Sequence, residues 1–318
     1  MLSRRSILQF VVVAAIGGLW ASPSVADSHV KAVASFSILG DMVREVGGDR
    51  VEVITLVGSD GDAHVYQPTP ADARAVAAAQ IVFVNGLGFE GWMDRLIKSA
   101  SFKGPTVVVS KGVKPLSMAE EADHDHGHGH DKHAKAEKGH DHGEIDPHAW
   151  QSLKNGEVYV RNIADGLIAV DPAGAATYRA NAERYLAEIA ALDREVRAAI
   201  AKLPADRRTV VTSHDAFGYF AAAYDLRFLS PEGVSTESEA SAKDVAALIK
   251  QIRAEKIPAV FMENVTDPRL IEQVRKETGA AIGGTLYSDA LSPADGPAPT
   301  YLKMFRYNVA TLTKALSL

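Results

Sequence analysis

The run from residue 174 to residue 203 constrains the whole chain. Tyr178, Tyr185, Ile189, Leu192, Val196 and Ile200 recur there at spacings of three, four or seven, so they fall on one face of a helix. Pro204 ends the run. At 1.5 Å per residue, roughly 29 residues extend about 43 Å. Such an element either joins two bodies as a strut or runs through the core of one. The length of 318 residues fits about two domains, and the strut is the expectation adopted here.

Both flanks of the run alternate strand with helix. Residues 30–36 (VKAVASF), 51–57 (VEVITLV), 81–84 (IVFV) and 106–109 read as strands. Residues 37–48, 71–79, 91–100 and 153–170 read as the helices between and after them, with Gly47 and Gly48 closing the first. The unbroken apolar IVFV fits a parallel strand covered on both faces. Beyond Pro204, residues 209–212, 226–229, 259–262 and 282–286 are the expected strands. The helices there are the AFGYFAAAY segment, 241–255, 267–278 and the tail from Tyr301. The expected fold class is therefore α/β, as two similar lobes joined by one long rigid helix. The expected division is 27–172 for the first lobe, 173–204 for the link and 205–318 for the second lobe. Asp171-Pro172 is expected to cap and open the linking helix.

The first 26 residues have the pattern of an export leader. Arg4 and Arg5 precede a short apolar stretch at 10–20, and Ser24-Val25-Ala26 supplies small residues for cleavage after Ala26. The paired arginines also resemble a twin-arginine leader. Lys and Arg number 34 and Asp and Glu 40; without the two leader arginines the balance is 32 − 40 = −8. A chain this acidic is not expected to seek nucleic acid or an anionic membrane, and it suits a cation. There is no cysteine, hence no disulfide, no thiolate metal site and no cysteine to carry a lipid anchor. A soluble monomer in the periplasm of a Gram-negative bacterium is expected.

One stretch, DHDHGHGHDKHAKAEKGHDHGEIDPHAW, begins at Asp123. His124, His126, His128, His130, His133, His140 and His142 are seven of the eleven histidines. Too few apolar residues accompany them to build a core, and neutral imidazole is a common metal ligand. The tract at 123–142 is thus expected to be an accessory metal-binding loop; a solvated polar loop without a role is the plain alternative.

Four other residues stand out by position. His64 lies in a loop after a strand, His148 follows the tract in DPHAW, His214 lies just past TVVT, and Asp289 just past IGGTL. Ligands of open α/β sheets collect outside the carboxyl ends of strands. Each residue alone has an ordinary reading, as a capping or turn residue. Jointly, three imidazoles and one carboxylate make a tetrahedral set for Zn²⁺, and a carboxylate-richer set would suit Mn²⁺. Glu239 and Glu263 are candidates to stand behind the ligands. Ordinary imidazoles would lose metal below about pH 6. A zinc hydrolase would need an open position for water. Four protein ligands leave none, and there is no HExxH or nucleophile elbow.

Several segments together resemble the zinc/manganese-binding periplasmic solute-binding proteins of ABC importers (cluster A-I, zinc-uptake type). They are GDAHVYQPTPAD, GLGFEGW, DPHAW, DPAGAATYRANAERYLAEI, TSHDAFGYF, GVSTESEASAKD, FMENVTDPRLIEQVRKETGA and LYSDALS. The resemblance covers nearly the whole exported chain. It implies two α/β lobes, a metal site in the cleft between them at His64, His148, His214 and Asp289, and a binding protein rather than an enzyme. A membrane permease is the implied partner, and a periplasmic metallochaperone is a candidate one. Histidine at 214 resembles the zinc members, since manganese members tend to carry Glu there. Two departures stand: Ala63 occupies the place where some zinc members have Glu, and the second-lobe disulfide of several relatives is impossible here.

Overall fold

The structure, a computed structural model, describes residues 29–117 and 145–317. The leader and the tract at 123–142, with its seven histidines, lie outside the described residues.

Four parallel strands form the first sheet: β1 (Val30–Phe36), β2 (Val51–Val57), β3 (Ile81–Val84) and β4 (Thr106–Val108), in the order β2-β1-β3-β4. Their registers pair Val30 with Val51, Ala32 with Ile81 and Val82 with Thr106. The sequence pattern follows position in the sheet. β3 is buried throughout and β1 at every residue but Lys31, as central strands covered on both faces must be. The edge strand β2 mixes buried and exposed residues. Helices α1 (Ser37–Gly47), α2 (Pro70–Ala78) and α3 (Met93–Ser99) connect them. Thr69 and Asp72 form a reciprocal cap at the start of α2.

Helix α4 (Leu153–Val170) leads to the linking helix α5 (Ala175–Ile200) of 26 residues. Asp171 caps a separate turn at Pro172–Gly174, accepting from the Gly174 N–H, so α5 starts later than the expected cap position. All six periodic residues of α5 are buried. They pack along α4, along α1, and along α9 (Tyr301–Leu316), so the element that carries the chain across is also core on its inner face.

The second half holds β5 (Thr209–Val211), α6 (Gly218–Tyr224), β6 (Arg227–Leu229), α7 (Ala242–Glu255), β7 (Ala259–Glu263), α8 (Arg269–Thr278) and β8 (Ala281–Leu286). Its strands form two parallel pairs, β5-β6 and β7-β8, rather than one continuous four-stranded ladder. β7 lies beside β5, and a register shift at Val260/Phe261 interrupts the β7-β8 pair. A small apolar cluster, with Val211, Leu248, Ile252, Val260 and Ile271, sits under α7 and α8. A much larger one runs from β1 through α4, α5 and α6 to Leu316 and spans both halves.

Candidate metal centre

The four site residues leave the carboxyl ends of β2, β5 and β8 and the segment before α4. His64 sits in the loop after β2. Its backbone N–H donates to Asp62 Oδ1 at 2.9 Å, and its ring meets the edge of Phe89 with centroids 4.7 Å apart. Trp92 Nε1–H donates to the Ala63 carbonyl at 2.7 Å, which ties this loop to the start of α3.

His148 is held more tightly. Asp146 Oδ1 lies 2.8 Å from both its backbone nitrogen and its Nδ1. With Nδ1–H donating to that carboxylate, Nε2 is left to face the cluster. The preceding carbonyl, on Pro147, accepts from Asn85 Nδ2 at 2.9 Å. Asn85 is fully buried and also accepts from the Tyr159 hydroxyl.

His214 follows β5. Glu263, the last residue of β7, accepts the Ser213 and His214 N–H groups on Oε1 at 2.9 and 3.0 Å. Its Oε2 lies 2.8 Å from His214 Nδ1 as an ion-pair contact, off the direction a hydrogen bond requires. Asp289 follows β8. Its Oδ2 is 3.1 Å from His214 Nε2 and 3.4 Å from His64 Nε2, and its Oδ1 is 3.5 Å from His148 Nε2. The His64 and His148 Nε2 atoms are 3.2 Å apart.

One donor atom from each of these residues lies within 4.8 Å of all the others, with every residue buried. Metal–ligand bonds of about 2.0–2.1 Å at tetrahedral angles separate donors by about 3.3–3.4 Å. The observed spacings bracket that value. Asp289 Oδ1 is buried and has no hydrogen-bond partner among the described residues. His148, His214 and Asp289 have no exposed surface, whereas His64 keeps 8%. A cleft of about 560 Å³ opens onto His64 between Phe89, Ile145, Pro147, Val234 and Glu237. His64 is thus the one of the four that this cleft reaches.

Charge reinforces the geometry. Burial opposes the imidazolium of His148, but the carboxylates of Asp289 and Asp146 outweigh it and push its pKa up to about 9. Burial likewise opposes the His214 imidazolium; Glu263 and Asp289 outweigh it and hold the pKa well above the ordinary value. Burial alone would raise Asp289, yet His148 and His214 keep it well below the usual carboxylate range.

The structure thus brings together the four residues expected from sequence and sets Glu263 behind His214. Glu239 is exposed, with Arg269 and Glu232 as its charged neighbours. It belongs to the irregular surface stretch between β6 and α7 and does not stand behind a ligand. The residue behind His148 is Asp146, which the sequence reading passed over. A signal for it exists: Asp62-Ala63-His64 and Asp146-Pro147-His148 share one spacing, and in both the Asp accepts the N–H of the His two residues on.

The family described as zinc-uptake complex component A, periplasmic, matches residues 32–315. The chain belongs to that family. It is 34% identical over 293 residues to the iron-binding protein YfeA of Yersinia pestis, covering 92% of this chain and 88% of that one. It is 33% identical over 288 residues to the manganese-binding lipoprotein MntA of Halalkalibacterium halodurans, covering 91% and 89%. The solved periplasmic zinc binding protein TroA of Treponema pallidum superimposes with a TM-score of 0.81 at 29% identity, covering 91% and 99%. The family member described here is thus a metal-binding substrate-binding protein of an ABC importer, with the two-lobed α/β fold of its relatives. Among its described residues no helix is long and apolar enough to cross a membrane.

Proposed function

We propose that this protein captures Zn²⁺ outside the inner membrane and hands it to the permease of an ABC importer, with His64, His148, His214 and Asp289 as the ligands. The convergence of three imidazole nitrogens and one carboxylate in a buried knot, with donor atoms within 4.8 Å of one another, carries the reading. Asp146 behind His148 fixes which nitrogen faces the ion, and Glu263 stands beside His214 Nδ1 as a charge partner. Four protein donors close a tetrahedral shell and leave no position for an activated water, which argues for binding over hydrolysis. The chain has no cysteine on which a lipid could be placed, and we propose a soluble exported protein, monomeric and without a membrane anchor. The 123–142 tract, with its seven histidines, would gather zinc or receive it from a metallochaperone.

Manganese is the second reading. Both oxygens of Asp289 face the cluster, and a bidentate carboxylate would give five donors, a set that a harder ion accepts. The iron and manganese named for YfeA and MntA support it. Competitive titration with Zn²⁺ and Mn²⁺, together with metal analysis of protein taken from the periplasm, separates the two. Zinc should raise Tm by mass action, and His148→Ala or His214→Ala should largely abolish the rise. An unchanged zinc affinity in both variants would remove the ligand assignment.

A further inference from the structure

Tyr219 lies on α6, five residues beyond His214, and is buried. Its hydroxyl accepts the Leu116 N–H at 3.0 Å and donates to the Asp146 carbonyl at 3.2 Å. Leu116 and Asp146 also bond directly, from the Asp146 N–H to the Leu116 carbonyl at 3.1 Å. The neighbouring residues, Ser117 and Ile145, form an antiparallel bridge. Opposed residues of an antiparallel ladder alternate between pairs that exchange both N–H···O bonds and pairs that exchange none, and Leu116 and Asp146 occupy a position of the first kind. Here one bond is direct and the other is replaced by a tyrosine hydroxyl inserted between its donor and acceptor. Burial pushes that hydroxyl's pKa up to about 12, so it remains a donor throughout the working range.

The position of this bridged rung gives it a consequence. Asp146 is the residue whose carboxylate orients His148, through contacts to both its backbone nitrogen and its Nδ1. From the first half, Asn85 holds the next carbonyl, on Pro147. From the second half, Tyr219 holds Asp146 itself. The segment TSHDAFGYF therefore supplies one ligand, His214, and also the group that fixes the orienter of another.

We propose that Tyr219 is a positioning residue of the metal centre, through which the second half of the chain controls His148. The inference rests on the metal-binding reading above. Displacement of the 212–220 segment would then loosen two of the four donors together, His214 directly and His148 through Tyr219 and Asp146. A buried hydroxyl with only a structural role would affect stability and leave the ion's release alone.

The test uses the full-length protein loaded with Co²⁺, whose visible absorption reports ligand geometry, and with Zn²⁺ for release into a chelator. Tyr219→Phe is expected to speed release by about 10-fold and to shift the Co²⁺ bands, at the lower end of what outer-shell changes do to metal affinity. Asp146→Asn should do the same or more, and the double variant should fall well short of the product of the two effects. Tyr224→Phe, which removes another buried hydroxyl of α6 bonded to Asp193 on α5, should leave release and spectrum unchanged. Coupling is reciprocal, so loading unsubstituted protein should slow hydrogen exchange at the Leu116 amide, a readout that needs no variant. Release at the original rate in Tyr219→Phe, multiplicative effects in the double variant, an equal effect of Tyr224→Phe, or unchanged Leu116 exchange would each overturn the proposal. If His148→Ala leaves Co²⁺ binding intact, the metal reading itself fails; if His148 matters and Tyr219 does not, only this inference fails.

Discussion

His148 shows how far local charge can move a residue from its ordinary behaviour. A free imidazole titrates near 6.5, so sequence alone places the loss of metal below about pH 6. With Asp289 and Asp146 against it, the metal-free site holds its proton up to about 9. His214 is shifted the same way. A divalent ion must therefore displace roughly two protons at neutral pH. Two imidazolium charges leave as two metal charges arrive, so the surrounding carboxylates see nearly the same field in both states. Calorimetry in buffers of different ionisation enthalpy should report about two protons released per ion at pH 7. Apparent affinity should keep rising towards pH 9; a plateau already at pH 7 would contradict the arrangement. The sign for folding is opposite. The His148 pKa is raised above its unfolded value, so its stabilisation is complete below about pH 6.5 and is lost as pH rises through 9. Metal-free protein should lose Tm over that interval while the gain on adding zinc grows.

Glu263 makes a related case. One of its oxygens carries two backbone N–H groups and the other faces His214 Nδ1. Glu263→Gln keeps the size but removes the charge behind His214. Metal affinity should fall by about 10- to 100-fold, as for other outer-shell partners, with far-UV circular dichroism unchanged. An affinity within twofold of the original would show that Glu263 serves the backbone alone.

At the scale of elements, the sequence was most legible where burial has a period. The apolar runs of β1 and β3 and the face of α5 follow directly from spacing, and α4 and α9 begin where their patterns begin. The Asp171-Pro172 pair was legible as a cap, but it caps a turn, because a cap signal does not state how long the following helix runs. The split of the second sheet into two pairs depends on contacts between distant strands, and no local pattern encodes those. The same holds for Glu239 and Glu263. Both are acids near apolar segments, and only the placement of β7 beside β5 separates them. The tract at 123–142 is flanked by an element that closes without it. Ser117 pairs with Ile145, and Asp146 with Leu116, at its two ends. Removing 123–142 leaves 118–122 and 143–144, seven residues, to span a bridged pair, within reach of a short loop. Tight zinc affinity should survive the deletion, and loading at scarce zinc should slow; loss of tight binding would make the tract part of the site.

At the scale of the whole molecule, the question is what moves when the ion leaves. The halves are joined by more than α5. The Leu291 N–H donates to Ser37 Oγ, and the Tyr301 N–H to Asp41 Oδ2. The Tyr301 hydroxyl reaches the Trp150 carbonyl, and Trp150 and Gln151 both reach the Ser288 carbonyl. Asp60 and Asp62, in the loop that carries His64, take hydrogen bonds from Asn264 and Thr236. Gly156 lets α4 pass Tyr301 so closely that a Cβ there would lie 2.6 Å from its hydroxyl. Each buried bond is worth about 1 kcal/mol net, and more if one partner is left unpaired. A wide hinge rotation would break most of them at once and shear the shared core along α5. Small movements of the ligand-bearing segments break one or two. Release should therefore proceed by displacement of the loops around His64 and His148, over the cleft that reaches His64, the one of the four with any accessible surface. Small-angle scattering of metal-free and loaded protein should give the same radius of gyration within error, while hydrogen exchange at residues 58–64 and 145–148 slows on loading. A large rigid-body rotation between metal-free and loaded crystals would show that the cross-links yield together, and that closure of the two halves, rather than loop displacement, governs the ion.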